Sequence, residues 1–250
     1  IKFNYGLRYS LLQQVGAYTS YKRDANGNKL DSTVYGAGKT VKTYGGLEPR
    51  ATLRFELNDR SSLKAAVTRN LQYIHLVSNA GTTLPTDLWV PSTLNVRPQL
   101  GWQYAIGYFR NFSNTMYEAS LEVYYKQIHN QIEYREGYTP WLRDPEEEFV
   151  FGKGWSYGAE LFVNKVKGKL TGWVGYTLSW TWRRFAQLND GEKYPSRYDR
   201  RHDMSVVSAY QLNNKWKFSG VFVYGTGNAM SMPERLYFTG GVLTEEYSRI

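Results

Sequence analysis

Apolar and polar positions alternate along most of the chain. A period of two marks a strand that turns one face to an apolar medium and the other to water. The clearest case runs from Leu170 to Trp182. Leu170, Val174, Tyr176, Leu178, Trp180 and Trp182 fall on one face, while Thr171, Gly175, Thr177, Ser179 and Thr181 fall on the other, which continues to Arg183. A strand of about 13 residues spans roughly 40 Å, whereas strands of globular proteins are usually about 5–6 residues long. The same alternation sets Ala51, Leu53, Phe55 and Leu57 against Arg50, Thr52, Arg54 and Glu56. It sets Leu100, Trp102, Tyr104, Ile106 and Tyr108 against Gln99, Gly101, Gln103, Ala105 and Gly107. Tyr117, Ala119, Leu121, Val123 and Tyr125 oppose Glu118, Ser120, Glu122, Tyr124 and Lys126. Trp155, Tyr157, Ala159, Leu161 and Val163 oppose Ser156, Gly158, Glu160 and Asn164, and Trp216, Phe218, Phe222 and Tyr224 oppose Lys217 and Ser219. No comparable stretch has helical spacing.

The connections fall into two classes. Short polar turns are predicted at Asn58-Asp59-Arg60, Ser113-Asn114-Thr115, Lys167-Gly168-Lys169 and Asn213-Asn214-Lys215, residue types that tight turns favour. Between them lie long segments near 19–43, 77–96, 137–151 and 186–197, predicted to be irregular. Each unit is therefore two long strands and one long loop. Alternating turn lengths have a physical origin in outer-membrane barrels, where short turns face the periplasm and long loops the exterior. A barrel also pairs every backbone group between strands, which hydrocarbon demands. About nine or ten strands can be counted, from residues 5–18 to residues 216–230. The competing architecture is a soluble β-sandwich with half-buried strands. Long strands and two classes of loop argue against it.

Composition sharpens this picture. Aromatic residues make up 16% of the chain (22 Tyr, 11 Phe and 8 Trp), roughly twice the usual share. Yet the mean hydropathy is −0.55 and 21% of residues are charged. An all-β membrane span reconciles the two, because alternation hides an apolar surface inside a polar average. Amphipathic rings gather at the water–lipid boundary. Tyr176, Trp180 and Trp182 sit toward one end of their strand, and Tyr117 and Trp216 beside tight turns at the other. No run of about 18 uncharged apolar residues exists to form a membrane helix. The absence of Cys removes disulfide, thiolate and iron–sulfur chemistry. The net charge of +9 is spread along turns, the polar face and loops, without a basic stripe or recognition helix, so no nucleic-acid partner is expected. The chain opens on Ile1 without a signal-like segment and ends at Tyr247-Ser-Arg-Ile250, after a loop-like stretch. The expectation is a fragment of a larger barrel, with residues 1–250 forming one partial domain.

Several blocks resemble the barrel of TonB-dependent outer-membrane receptors, particularly those of Bacteroidetes. They are Gly152-Lys-Gly-Trp-Ser-Tyr-Gly-Ala-Glu-Leu-Phe162, Gly172-Trp-Val-Gly-Tyr-Thr-Leu-Ser-Trp180, Tyr194-Pro-Ser-Arg-Tyr-Asp-Arg-Arg-His-Asp203 and Tyr224-Gly-Thr-Gly-Asn-Ala229. Leu47-Glu-Pro-Arg-Ala-Thr-Leu-Arg54 looks like another strand of the same barrel. The resemblance implies an antiparallel transmembrane β-barrel of about 22 strands around a plug, here lacking the plug and the last strands. It also implies uptake of a large scarce solute (a siderophore chelate, cobalamin or an oligosaccharide) energised by the TonB complex through an N-terminal part. The partners it implies are outer-membrane lipid and lipopolysaccharide, the extracellular solute and a surface lipoprotein. A passive porin is the alternative, followed by a membrane-embedded hydrolase.

The candidate chemistry lies at the loop ends of the strands. Arg183, Arg184, Arg197, Arg200 and Arg201 concentrate positive charge around one loop, and guanidinium groups suit carboxylate or phosphate ligands. The competing reading pairs them with Asp199 and Asp203 in a rim network. Loop aromatics Trp89, Trp141 and Tyr138 could stack on sugars or chelate rings. The run Asp144-Pro-Glu-Glu-Glu148 is either a solvated loop or a site for a cation or basic partner. Glu118, Glu122, Lys126, Glu160 and Lys217, on the polar face, are expected to form internal ion pairs. A hydrolase would need His202 to act as base beside Asp199 and Asp203, but no nucleophile motif accompanies them. His75, His129 and His202 are scattered without metal-ligand spacing, so no catalytic residue, metal or cofactor is assigned.

Overall fold

A computed structural model describes residues 1–23, 29–77, 88–135, 145–229, 232–239 and 242–248. Sixteen strands occur among them. They are β1 (Lys2–Val15), β2 (Tyr18–Arg23), β3 (Lys29–Tyr35), β4 (Thr40–Asn58), β5 (Ser61–Gln72), β6 (Ile74–Val77), β7 (Leu88–Pro91), β8 (Gln99–Phe112), β9 (Tyr117–Tyr134), β10 (Phe149–Lys165), β11 (Leu170–Phe185), β12 (Tyr194–Pro195), β13 (His202–Gln211), β14 (Lys217–Gly225), β15 (Met232–Thr239) and β16 (Val242–Ser248). One antiparallel sheet runs in the order β1-β4-β5-β8-β9-β10-β11-β13-β14, with β12 added on β11. Nine long strands in up-and-down order form an open segment of a transmembrane-type barrel wall.

All four tight turns form where the polar clusters predict them, at one end of the sheet. The Asn58 Oδ1 accepts the Arg60 N–H at 2.9 Å. The Asn213 Oδ1 accepts the N–H groups of Lys215 and Trp216 at 2.9 and 3.0 Å. Asn side chains that bond the backbone two residues on mimic a turn and fix it locally. The long connections all lie at the opposite end, and here the expectation of irregular chain fails. Among the described residues, β2 pairs with β3 and β6 with β7, and 3-10 turns occupy Pro145–Glu148 and Asn189–Gly191. These segments carry Thr19, Tyr21, Thr33, Val34, His75, Leu76, Trp89 and Val90, mostly β-branched, aromatic or apolar residues that favour paired strands. The strands β4, β9 and β10 run for 19, 18 and 17 residues, beyond the roughly 9–11 that a bilayer needs. Their upper ends therefore stand above the span.

The register joins the alternating faces into two continuous surfaces. Phe3, Leu53, Ala65, Ile106, Val123, Ala159, Leu178 and His202 form one lateral row, each paired to the next. On the other face run Lys2, Arg54, Lys64, Gly107, Glu122, Glu160, Thr177, Asp203 and Gly225. Large residues of the first face, such as Leu121, Leu161 and Phe222, stay exposed. The described buried apolar residues form only two small clusters at the loop end. A β-sandwich would bury one sheet face against another layer, so this pattern rules it out. Gly172 interrupts β11 with φ +146, and a Cβ there would meet the Val207 carbonyl oxygen at 2.0 Å. Only Gly permits the strands to approach so closely.

Candidate functional site

The loop end of β9–β13 carries most of the sequence-derived candidates. Because β11 alternates, the Arg183-Arg184 pair splits between the two faces. Arg183 lies on the polar side, where its guanidinium donates to the Glu133 carboxylate at 3.1 Å. The Tyr194 hydroxyl donates to the same Glu133 oxygen at 3.2 Å. Pairing of β12 with β11 places Tyr194 opposite Arg183, and Val150, Phe185, Leu188 and Tyr194 pack beneath as a buried cluster. Two buried atoms here, the Gln131 Oε1 and the Arg183 Nε, have no partner among the described residues.

The next Arg cluster is also divided. Arg200 donates to Asp203 at 2.9 Å, and Arg201 to Asp199 at 3.0 Å. Asp199 in turn accepts the Thr181 N–H at 2.7 Å, holding the loop base to β11. Arg201 lies over the Trp180 ring at 4.6 Å, where the ring quadrupole attracts a cation. The Arg197 guanidinium lies 5.2 Å from the Tyr198 ring. Arg184 is exposed on the apolar side and donates to the Gly191 carbonyl at 2.6 Å. Trp89 is exposed on β7, and Trp141 and Tyr138 lie outside the described residues.

His202, Asp199 and Asp203 do not assemble as a catalytic group. The Tyr176 hydroxyl and the His202 Nδ1 share a hydrogen bond of 2.7 Å on the apolar face, whereas Asp203 points to the polar face beside Arg200. Successive strand residues face opposite ways, so adjacency in sequence separates them in space.

Two expectations need correction. Among the described residues, none of Glu118, Glu122, Lys126, Glu160 and Lys217 forms an ion pair. The register sets Glu122 directly opposite Glu160, and Glu118 instead accepts the Asn164 amide at 3.1 Å. The described end of the acidic run is not merely solvated. Glu148 is buried and paired with Arg135, which donates to it at 2.9 Å. Glu146 accepts the Thr93 hydroxyl at 2.9 Å, tying two loops together.

The loop end also holds features that sequence inspection passes over. Above the point where β4 and β5 part, the buried Glu48 carboxylate accepts from Arg8, from the Ser10 hydroxyl and from the Leu71 N–H at 3.3 Å. On the β6–β7 hairpin, His75 is fully buried, and its Nε2 shares a hydrogen bond of 2.9 Å with the Ser92 hydroxyl. Burial pushes the His75 pKa down to about 4. An unfolded His titrates near 6.5, so the folded hairpin binds fewer protons between these values. Its stability is full above about pH 6.5 and falls as pH drops towards 4, by a total of about 3 kcal/mol. The protection factors of the β6 and β7 amides in the full-length gene product, hydrogen-exchange rates divided into the intrinsic rate at each pH, should fall as pH drops across that window. A His75→Gln variant should show a flat profile.

No family model matches the chain, and no curated protein matches it. Solved structures do. The FrpB iron transporter of Neisseria meningitidis superposes with a TM-score of 0.55 at 15% identity, over 87% of this chain and 29% of that one. The ferripyoverdine receptor of the Pseudomonas aeruginosa outer membrane gives 0.52 at 15% identity, over 87% and 26%. The ferric-catecholate import receptor Fiu of Escherichia coli K12 gives 0.52 at 15% identity, over 91% and 33%. The chain thus spans about a quarter to a third of the structures it resembles, and it shares their barrel fold.

Proposed function

We propose that the chain is part of the barrel wall of an outer-membrane receptor that imports a large solute with energy from the TonB complex. The observation that carries this reading is the sheet itself. One continuous apolar face, tight turns at one edge and structured loops at the other suit a wall between lipid and an aqueous lumen. The apolar face meets lipid, the polar face lines the lumen, and the loop end is extracellular. The superposed proteins support a receptor over a simple porin, and their names favour a ferric chelate among the three solute classes. In this reading the plug and the segment that touches TonB belong to parts of the protein outside residues 1–250. The Bacteroidetes-type assignment rests on the residue blocks around Gly152–Phe162 and Tyr194–Asp203. The rim residues Arg183, Arg197, Arg200, Arg201, Trp89 and Trp141 are the candidate solute contacts, the paired Arg acting through networks that an anionic ligand would have to share.

The test is uptake of radioiron supplied as a ferric catecholate, in a host stripped of its own ferric-chelate receptors. Expression of the full-length gene product should restore uptake, and removal of TonB should return it to background. Uptake that persists without TonB would make the protein a passive channel.

A further inference from the structure

On the face assigned to lipid, the register builds a row of cations directly above a row of aromatics. Trp155 on β10 pairs with Trp182 on β11, which pairs with Pro195 on β12. One or two residues nearer the loops, Lys153 on β10 pairs with Arg184 on β11. Lys193 precedes β12, and its Nζ lies 4.9 Å from the centre of the Trp182 ring. All three cations are exposed, and none forms an ion pair with a described carboxylate. The contrast with their neighbour is direct, since Arg183 faces the other way and is paired with Glu133.

Two physical arguments bear on this row, whose cations, unlike Lys2 and Arg54 on the opposite face with their shared Glu56, have no described carboxylate beside them. Like charges directly opposite on paired strands repel. Neighbouring strands lie about 4.8 Å apart, so the Lys153–Arg184 pair is unfavourable unless an anion lies against it. The second argument is height. Trp182 and Arg184 are 12 and 14 residues above Leu170, the first residue of β11. With a rise of about 3.3 Å per residue and a tilt near 45°, those positions lie about 28 and 33 Å above the turn end of β11. The hydrocarbon core is about 30 Å thick. The rings therefore reach its outer boundary and the cations the headgroup layer.

We propose that Lys153, Arg184 and Lys193 form a docking site for the phosphate groups of lipopolysaccharide in the outer leaflet. The hydrogen bond from the Arg184 Nε to the Gly191 carbonyl orients its guanidinium, leaving the terminal nitrogens for a phosphate oxygen. Trp155 and Trp182 pack beneath against the sugar–acyl junction. Among the loop-end residues, Arg184 thus serves the membrane and takes no part in solute capture. The inference rests on the outer-membrane orientation proposed above.

The experiment uses the full-length gene product purified in detergent from outer membranes. The K153Q/R184Q/K193Q variant is compared with wild type and with K64Q/K126Q, which removes charge from the opposite face. Heat-modifiable mobility and outer-membrane fractionation report insertion, and lipid A phosphate per protein reports retained lipopolysaccharide. The triple variant should insert normally yet retain about tenfold less lipopolysaccharide, while K64Q/K126Q should match wild type. Added lipopolysaccharide should raise the melting temperature of the wild type, and dephosphorylated lipid A should not. Equal retention by the inserted triple variant would overturn the docking site. So would equal loss in K64Q/K126Q, or stabilisation by phosphatidylglycerol as strong as by lipopolysaccharide. If wild type itself fails to insert, it is the membrane orientation that falls.

Discussion

Ala159→Arg is expected to cost the folded barrel about 2–4 kcal/mol, because it sets a guanidinium at mid-depth on the lipid face. Ala159 sits between Val123 and Leu178 in the central apolar row. It is six residues from the turn end of β10 at Lys165, which places it about 14 Å above that edge at the same rise and tilt. No polar neighbour in that row can take the charge. Thr177 is the control, since it lies on the polar face between Glu160 and Asp203. Thr177→Arg should stay within about 0.5 kcal/mol of wild type, with two carboxylates beside it. Urea titration of the full-length gene product refolded into phospholipid vesicles measures both. If Thr177→Arg were the costly variant, the two faces would have to be exchanged.

Glu48→Ala should be the next most damaging substitution, at about 2–3 kcal/mol. Its carboxylate is the acceptor for three donors, two on β1 and one on β5, and it closes the seam where β4 leaves β5. Removing it strands the Leu71 N–H and frees Arg8. Half of the Arg8 side chain is exposed, so water rescues part of the loss and the value stays below the roughly 3–5 kcal/mol of a fully buried pair. Glu48→Gln keeps the shape and one acceptor and should fall between. Faster hydrogen exchange at the Leu71 amide, together with a lower urea midpoint, would identify the seam as the site of damage. An unchanged Leu71 amide would show that the network contributes nothing there.

The fold was legible because a barrel wall is written in local code. In β8, β9, β10 and β11 each side chain's face follows from parity alone, and Asn58 and Asn213 build their turns with their own side chains. The loops were less legible. Short segments such as Ile74–Val77 carry too few residues for periodicity to declare a strand, and they form one only because Leu88–Pro91 lies opposite. The candidate site was legible as a list of Arg residues but not as an arrangement. Parity could have separated Arg183 from Arg184. It could not have supplied Glu133 as the partner of Arg183, a contact across 50 positions.

Sequence alone therefore determined the long strands of the wall, their two faces and the turn edge, each the product of interactions within a few residues. Register and loop packing decided the rest. Pairing set Glu122 against Glu160 and Lys153 against Arg184, brought Glu48 to Arg8 and Leu71, and buried His75. Strand alternation carries no record of which residue will stand opposite. Offset and pairing are chosen only when whole strands meet, and the charges met there separate an inward network from an outward row of cations.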